Sequence, residues 1–363
     1  MDSSHKSALY VALVALLAAI VLFATGKPAG GGYALVAFFL LASFAVRGSE
    51  KFAGVSFSLL IFAAVSLAMT YPSIFVSWGD FRVSKLIVPL LQIIMFGMGT
   101  AMSAKDFIGV VKSPKAVFVG LAAQFTIMPF VGALLALIFD LGPEVAAGIV
   151  LIGSVPSGLA SNVMVYIAKA NLPLSVTLTS VATLLAPFVT PFYMQWLAGQ
   201  YIEINPMAMM WDIIKITIIP IAAGLLFNRF LHGRTAWLDR AMPLLSMGGI
   251  VMILAVMTAG ARDNLLVVGA MLVVVALMHN LSGYLIGYWS CRLLRFDEKS
   301  CRTIAIEVGL QNAGLATGLA QTMGKMATVG LAPTVFGSLM NITGATLANW
   351  WRGRPVRGED TAK

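Results

Sequence analysis

Twelve apolar runs fill most of the chain, at residues 8–26, 32–46, 54–71, 86–103, 116–138, 145–168, 174–196, 207–227, 242–260, 265–290, 303–324 and 327–351. Each is bounded by charge or by Gly and Pro. A helix needs about 20 apolar residues to cross the hydrocarbon of a bilayer, so the pattern predicts an all-α polytopic membrane protein. The shortest run, 32–46, follows a glycine-rich link, Gly30-Gly31-Gly32. The first has Lys6 ahead of it but no small-residue cleavage site with a polar start behind it, and reads as a retained anchor rather than a signal peptide.

Only 11% of the residues are charged and 59% are hydrophobic. Soluble domains hold about 25% charged and 45–50% apolar residues, so a soluble enzyme, a disordered chain and a collagen-like fibre are excluded. The net charge of +9 does not point to nucleic acid, because it is spread over short loops. Taking the N-terminus and every second loop, one side holds Lys6, Arg47, Lys51, Lys105, Lys112, Lys115, Lys169, Arg229, Arg234, Arg240, Arg292, Arg295, Lys299, Arg302, Arg352, Arg354, Arg357 and Lys363. The other side holds Lys27, Arg82, Lys85, Arg262 and Lys325. This asymmetry predicts a multi-pass protein of the inner (plasma) membrane with both termini in the cytoplasm. It also predicts an even number of spans: twelve, or ten with the first two runs forming a re-entrant or interfacial hairpin. Cys291 and Cys301 supply neither a disulfide framework nor a zinc site.

Two stretches of the chain read alike. Pro89-Leu90-Leu91 opens one and Pro243-Leu244-Leu245 the other. Each continues to an aspartate (Asp106, Asp263), then to amides or imidazole inside the next span (Gln124; His279-Asn280), then to a polar pair in a Gly-interrupted span (Ser161-Asn162; Gln311-Asn312). Loop charge puts the two Pro-Leu-Leu motifs on opposite sides of the membrane, so the repeats are inverted. Inverted repeats with interrupted helices place a site near the bilayer midplane in secondary transporters. The division expected is an extra N-terminal transmembrane hairpin (1–53), a first repeat (54–200), a second repeat (201–351) and a basic cytoplasmic tail (352–363).

The polar residues inside the apolar runs carry the chemistry. In Val155-Pro156-Ser157-Gly158 the proline removes a backbone donor and the glycine loosens the turn, so the helix should break. Ser161 and Asn162 follow at what would be a half-helix N-terminus, the positive end of its dipole; bonding to the local backbone is the plainer reading. Glu307 is the one acidic residue well inside an apolar run, and Arg302, the nearest basic residue of its segment, lies at the membrane edge. A buried carboxylate without a basic partner either holds a proton or meets a cation. Gln311 shares its face at i+4 if the turn stays helical, and Gly309 and Gly314 favour a second break. A neutral glutamic acid bonded to Gln311 is the alternative. Ser175 and Thr179, four residues apart, put two hydroxyls on one face, which would suit a small hard cation, although such hydroxyls usually bond back to their own helix carbonyls. Gln124 sits mid-span ahead of Pro129, and His279 and Asn341 are also intramembrane; helix-to-helix packing explains His279 better than a proton relay.

Phe96-Gly97-Met98-Gly99, Ala123-Gln124-Phe125 with Met128-Pro129, Ala160-Ser161-Asn162-Val163-Met164 and Glu307-Val308-Gly309-Leu310-Gln311-Asn312 occur in that order. On these motifs the chain, from about residue 54 to 351, resembles bacterial members of the bile acid:sodium symporter family. The resemblance implies a ten-helix core of two inverted five-helix repeats, split into panel and core domains. Two discontinuous helices, 145–168 and 303–324, would cross at its centre, and the N-terminal hairpin would lie outside it. It implies two sodium sites, one from Ser161, Asn162, Ser175, Thr179 and Glu307. The other would use Gln124, Glu307 and Gln311 with the backbone carbonyls of Val308 and Leu310. It implies an organic anion bound beside the crossing, near Leu159, Asn312, Met340 and Asn341. Gly158-Leu159 stands where the family commonly has Gly-Thr, and Met340-Asn341 where bile-acid-binding bacterial members have His-Asn. Both departures turn the expectation away from bile acids and spare the sodium ligands.

The expected function is therefore sodium-coupled symport, by alternating access, of an organic anion: a small carboxylate such as a pantoate-like acid, or a bile-acid-like steroid. Two Na⁺ beside one carboxylate leave a net positive site, which suits an anion. Proton-coupled transport with Glu307 as carrier is the alternative. An intramembrane enzyme is not expected, since the spans hold neither an Asp pair nor His-Glu-x-x-His and His279 has no evident nucleophile. A channel would show rings of charge or a repeated filter motif.

Overall fold

The structure, a computed structural model, describes residues 3–49, 53–103, 113–231, 236–354 and 356. Asp106 and most of the basic tail lie outside these residues. Each of the twelve apolar runs is largely helical, and eight helices or helix pairs are long and apolar enough to cross a membrane among the described residues.

The chain opens with a helical hairpin, α1 (Ser3–Ala24) and α2 (Pro28–Arg47). The glycine triplet expected as a link instead forms the first turns of α2. Pro28 starts that helix, where its missing N–H is no loss. Gly32 then lets α2 approach α3 (Ser56–Thr70): a Cβ there would lie 2.3 Å from the Thr70 Cγ2. Ser43 and Ser56 share a hydroxyl hydrogen bond of 2.9 Å, and Arg47 Nε donates to Ser56 Oγ at 2.8 Å. The hairpin is thus fastened through α2. Helix α1 packs on α2 and leaves Tyr10, Val14, Leu17 and Val21 exposed, a surface suited to lipid rather than water.

A two-residue-stranded turn, β1 (Ser77–Trp78) and β2 (Phe81–Arg82), leads into α4 (Ile87–Ala101). There follow α5 (Pro114–Phe139), α6 (Pro143–Ser154), α7 (Leu159–Ile167) and α8 (Leu172–Tyr193). Then come α9 (Pro206–Ile213), α10 (Ile219–Leu231), α11 (Ala236–Gly260) and α12 (Arg262–Leu293). The last are α13 (Glu298–Gly309), α14 (Ala313–Thr322) and α15 (Leu331–Arg352). Helices α9 and α10 are one span, joined by a π-helical turn, Ile214–Ile218.

These helices sort into two groups by packing. Helices α3, α4, α10 and α11 form one, with α9 as the continuation of α10; in it α4 packs on α10 and α11, and α11 on α3, while α9 itself packs on α8 and α14. Helices α5–α8 and α12–α15 form the other, in which α12 packs on α5, α13 and α15. Glycines set the closest approach in the first group. A Cβ on Gly99 would lie 2.2 Å from the Ile221 carbonyl oxygen, and one on Gly224 2.3 Å from that of Phe96. Small residues let membrane helices touch backbone to backbone, where dispersion is the attraction that remains in lipid.

Two helices of the second group are broken. Residues 155–158 separate α6 from α7, and residues 310–312 separate α13 from α14. The breaks face each other, and Ser157 and Gln311 pair as an antiparallel bridge. The outer ends are tied as well: Lys325, just beyond α14, donates to Glu144 in the first turn of α6.

Candidate functional site

A broken helix in hydrocarbon must find partners for the groups it frees, because no water is there to take them. Here the two breaks supply them to each other. Asn312 N donates to the Pro156 carbonyl at 2.8 Å, and Gly158 N to the Leu310 carbonyl at 3.3 Å. Neighbouring amides complete the set. Gln124 Nε2 donates to the Val155 carbonyl at 3.2 Å, Asn280 Nδ2 to that of Gly309 at 2.8 Å, and Gln311 Nε2 to that of Val308 at 2.6 Å. Gly158 keeps the breaks close where they meet, since a Cβ there would lie 3.2 Å from the Gln311 carbonyl oxygen.

Glu307 is buried beside this crossing, on the last full turn of α13. Three hydroxyls donate to it: Ser157 to Oε2 at 2.6 Å, Thr179 to Oε2 at 2.9 Å and Ser175 to Oε1 at 2.5 Å. The spacing of Ser175 and Thr179 on α8 is what brings both to one carboxylate. Ser161 lies 3.4 Å from Thr179, oxygen to oxygen, and Asn162 Oδ1 lies 2.7 Å from Ser175 Oγ. Ser175 has one proton and two oxygens competing for it. Five side chains from α7, α8 and α13 thus crowd hydroxyl, amide and carboxylate oxygens together with too few protons between them. That donor set is the one a small hard cation takes.

A second cluster adjoins it. Gln124 Nε2 donates to Gln311 Oε1 at 2.8 Å, and Gln311 turns back to the Val308 carbonyl. The Gln124 Oε1 is buried without a hydrogen-bond partner among the described residues. Leaving such an atom unpaired costs about 1–3 kcal/mol, and a cation would satisfy it. No hydrogen bond among the described residues joins Glu307 to Gln124 or Gln311. The i+4 relation expected of Glu307 and Gln311 does not form, because α13 ends at Gly309 and Gln311 belongs to the break.

On the other side of the crossing is a cavity of about 90 Å³ between the two helix groups. Leu159, Asn312, Met340 and Asn341 all line it, with Leu91 and Ile253 from the facing group. Asn312 Oδ1 caps α14 by accepting from Leu315 N at 3.0 Å, and Asn341 Nδ2 bonds the Gly337 carbonyl at 2.7 Å. His279 is buried against the Met128 carbonyl at 2.9 Å, the helix-to-helix role expected of it. Cys291 and Cys301 are both buried free thiols.

Ser157 is the residue the motifs did not single out. A hydroxyl in a break has no helical face, so its direction could not be read before the breaks were placed opposite each other. Hydrogen bonds to charged groups contribute about 1.5–3 kcal/mol. Ser157→Ala is therefore expected to lower the thermal stability of the sodium-free protein by about that much, and Ser157→Thr to restore it. Thermal unfolding in detergent checks both.

A profile of the sodium bile acid symporter family matches residues 88–268. Among curated proteins, an uncharacterised sodium-dependent transporter of Bacillus subtilis is 38% identical over 307 residues, covering 84% of this chain and 94% of that protein. A probable sodium/metabolite cotransporter of the Arabidopsis thaliana chloroplast is 33% identical over 273 residues, covering 74% of this chain and 68% of that protein. Its counterpart in Oryza sativa subsp. japonica is 30% identical over 272 residues, covering 74% and 67%.

Proposed function

Since the chain belongs to the sodium bile acid symporter family, and is a multi-pass membrane transporter rather than an enzyme, we propose that it couples two Na⁺ to the uptake of a small organic carboxylate by alternating access. The observation that carries this reading is the buried Glu307, with no basic partner among the described residues and an excess of oxygens about it.

The first ion would take Ser161, Asn162, Ser175, Thr179 and Glu307. The second would take Gln124, Gln311 and Glu307 with the Val308 and Leu310 carbonyls. The orphaned Gln124 oxygen supports the second site. The substrate carboxylate would lie in the cavity by Leu159, Asn312, Met340 and Asn341, facing the N-terminal ends of α7 and α14, whose dipoles favour an anion. Apolar Leu159 and Met340 and the small cavity favour a compact hydroxy or keto acid over a steroid.

Packing supports a rocking motion about the crossing. Helix α14 packs on α4, α9 and α11 of the first group, with Leu91 against Gly314 and Gly318. Helix α7, on the opposite side of the crossing, packs chiefly on α8, α13 and α15 of its own group and leaves Val163 and Tyr166 exposed. On this reading the half of the path beside α14 would be closed and the half beside α7 open. The first group would serve as the panel and the second as the core, each drawing helices from both inverted repeats, whose boundaries would lie near 54–200 and 201–351. Loop charge would put the open half and both termini on the cytoplasmic side of the inner membrane.

Proteoliposome uptake tests the reading. An inward Na⁺ gradient is expected to drive accumulation of a radiolabelled hydroxy acid, with K⁺ in its place giving none. Uptake driven by a proton gradient without Na⁺ would overturn it in favour of Glu307 as a proton carrier.

A further inference from the structure

Away from the crossing, a groove of about 950 Å³ runs between α12 and α15 on the outer surface of the second helix group. Its floor is apolar, from Leu281, Leu285, Ile342 and Leu347. Its head is aromatic and charged. Tyr288 stacks on Trp351 at 6.0 Å between ring centres, Trp350 lies 6.1 Å beyond, and Trp289 meets Tyr288 edge-on at 5.8 Å. Four aromatic rings at one level mark the depth at which headgroups meet hydrocarbon. This is also the end of α12 and α15 that carries Arg292, Arg295 and Arg352, the face with the basic loops.

The charges at the head are unequally matched. Glu298 is fully engaged: Arg302 Nε donates to Oε1 at 2.8 Å and the Tyr288 hydroxyl to Oε2 at 2.7 Å. Arg302 spends its other nitrogens on the Trp351 and Arg354 carbonyls at 3.2 and 2.9 Å, closing the end of α15. Arg354 remains. Its guanidinium lies 4.0 Å above the Trp350 ring and meets no carboxylate among the described residues. Trp350, Trp289, Leu281 and Leu285 are each about half exposed, so the groove opens along its length toward lipid.

We propose that this groove is a binding site for an anionic phospholipid, its phosphate held by Arg354 over Trp350 and its acyl chain laid between α12 and α15. A bare anion would find the arginine but nothing for the apolar floor. A zwitterionic lipid would fill the floor but set a second cation beside Arg354. Only a headgroup of net negative charge on a chain complements both ends, the pattern by which basic pockets between helices retain acidic lipids. The site is separate from the crossing and stands whether or not the transport reading holds.

The test uses full-length protein stripped of lipid in detergent, titrated with phosphatidylglycerol, phosphatidylcholine or inorganic phosphate. Retained lipid is counted by native mass spectrometry and stability is read by thermal unfolding. Phosphatidylglycerol is expected to be retained and to raise the unfolding temperature, and the other two to do neither. Arg354→Gln should weaken half-saturation roughly fivefold, the worth of one arginine beside an anionic headgroup, with its lipid-free unfolding temperature unchanged. Thr346→Trp, which fills the groove, should abolish retention. Equal protection by phosphatidylcholine, the same protection by phosphate alone, or full retention by both variants would overturn the proposal.

Discussion

Glu307→Gln is expected to abolish the sodium-specific part of this protein's stability. A ligand that binds only the folded state stabilises it by RT ln(1 + [L]/Kd), about 2.7 kcal/mol at a hundredfold excess. In NaCl the parent protein should therefore unfold several degrees higher than in KCl of equal ionic strength, and the variant should unfold alike in both. The substitution keeps the shape of the side chain and removes its charge. It also turns one oxygen that accepts from a hydroxyl into an amide that donates, so Ser175, or Ser157 with Thr179, must rotate away. Uptake driven by Na⁺ should fall to background. Sodium protecting the variant as well as the parent would remove Glu307 from the ion site.

Gly224→Val should disrupt the packing of the first helix group. The new side chain would meet the Phe96 carbonyl and the Thr100 amide at 2.3 and 2.8 Å from its Cβ, both of them backbone that cannot turn aside. Helices α4 and α10 would have to separate along their length. Overpacking of a tight interface costs about 1–3 kcal/mol, and a backbone clash of this kind belongs at the upper end. The measurement is the fraction of folded protein recovered by size-exclusion chromatography. Gly248→Val is the matched control, because a Cβ there meets nothing within 4 Å, and full recovery of the control beside loss of the first variant is the expected pair of results.

Much of this architecture was readable beforehand for identifiable reasons. Apolar runs are long-range signals, and all twelve proved helical. The break at Pro156 was legible because proline and glycine act through local backbone rules, and the Ser175–Thr179 pair because helical spacing fixes a shared face. What depended on the approach of distant segments was not legible. Gly30-Gly31-Gly32 looked like a link until α3 was seen to need a smooth surface at Gly32. Gln311 looked like the helical neighbour of Glu307 until α13 ended at Gly309 and gave Gln311 to Gln124 instead, 187 positions away. Ser157 reached the carboxylate only because the second break lies opposite the first.

The paired breaks also have a consequence for biosynthesis. The first crossing helix leaves the ribosome about 150 residues before Leu310 and Asn312 exist, and its Pro156 carbonyl and Gly158 amide have their partners only there. During that interval the nascent first half carries unsatisfied polar backbone at a depth where nothing replaces it. The backbone of each break is therefore hydrogen-bonded in full only when both halves of the chain are present.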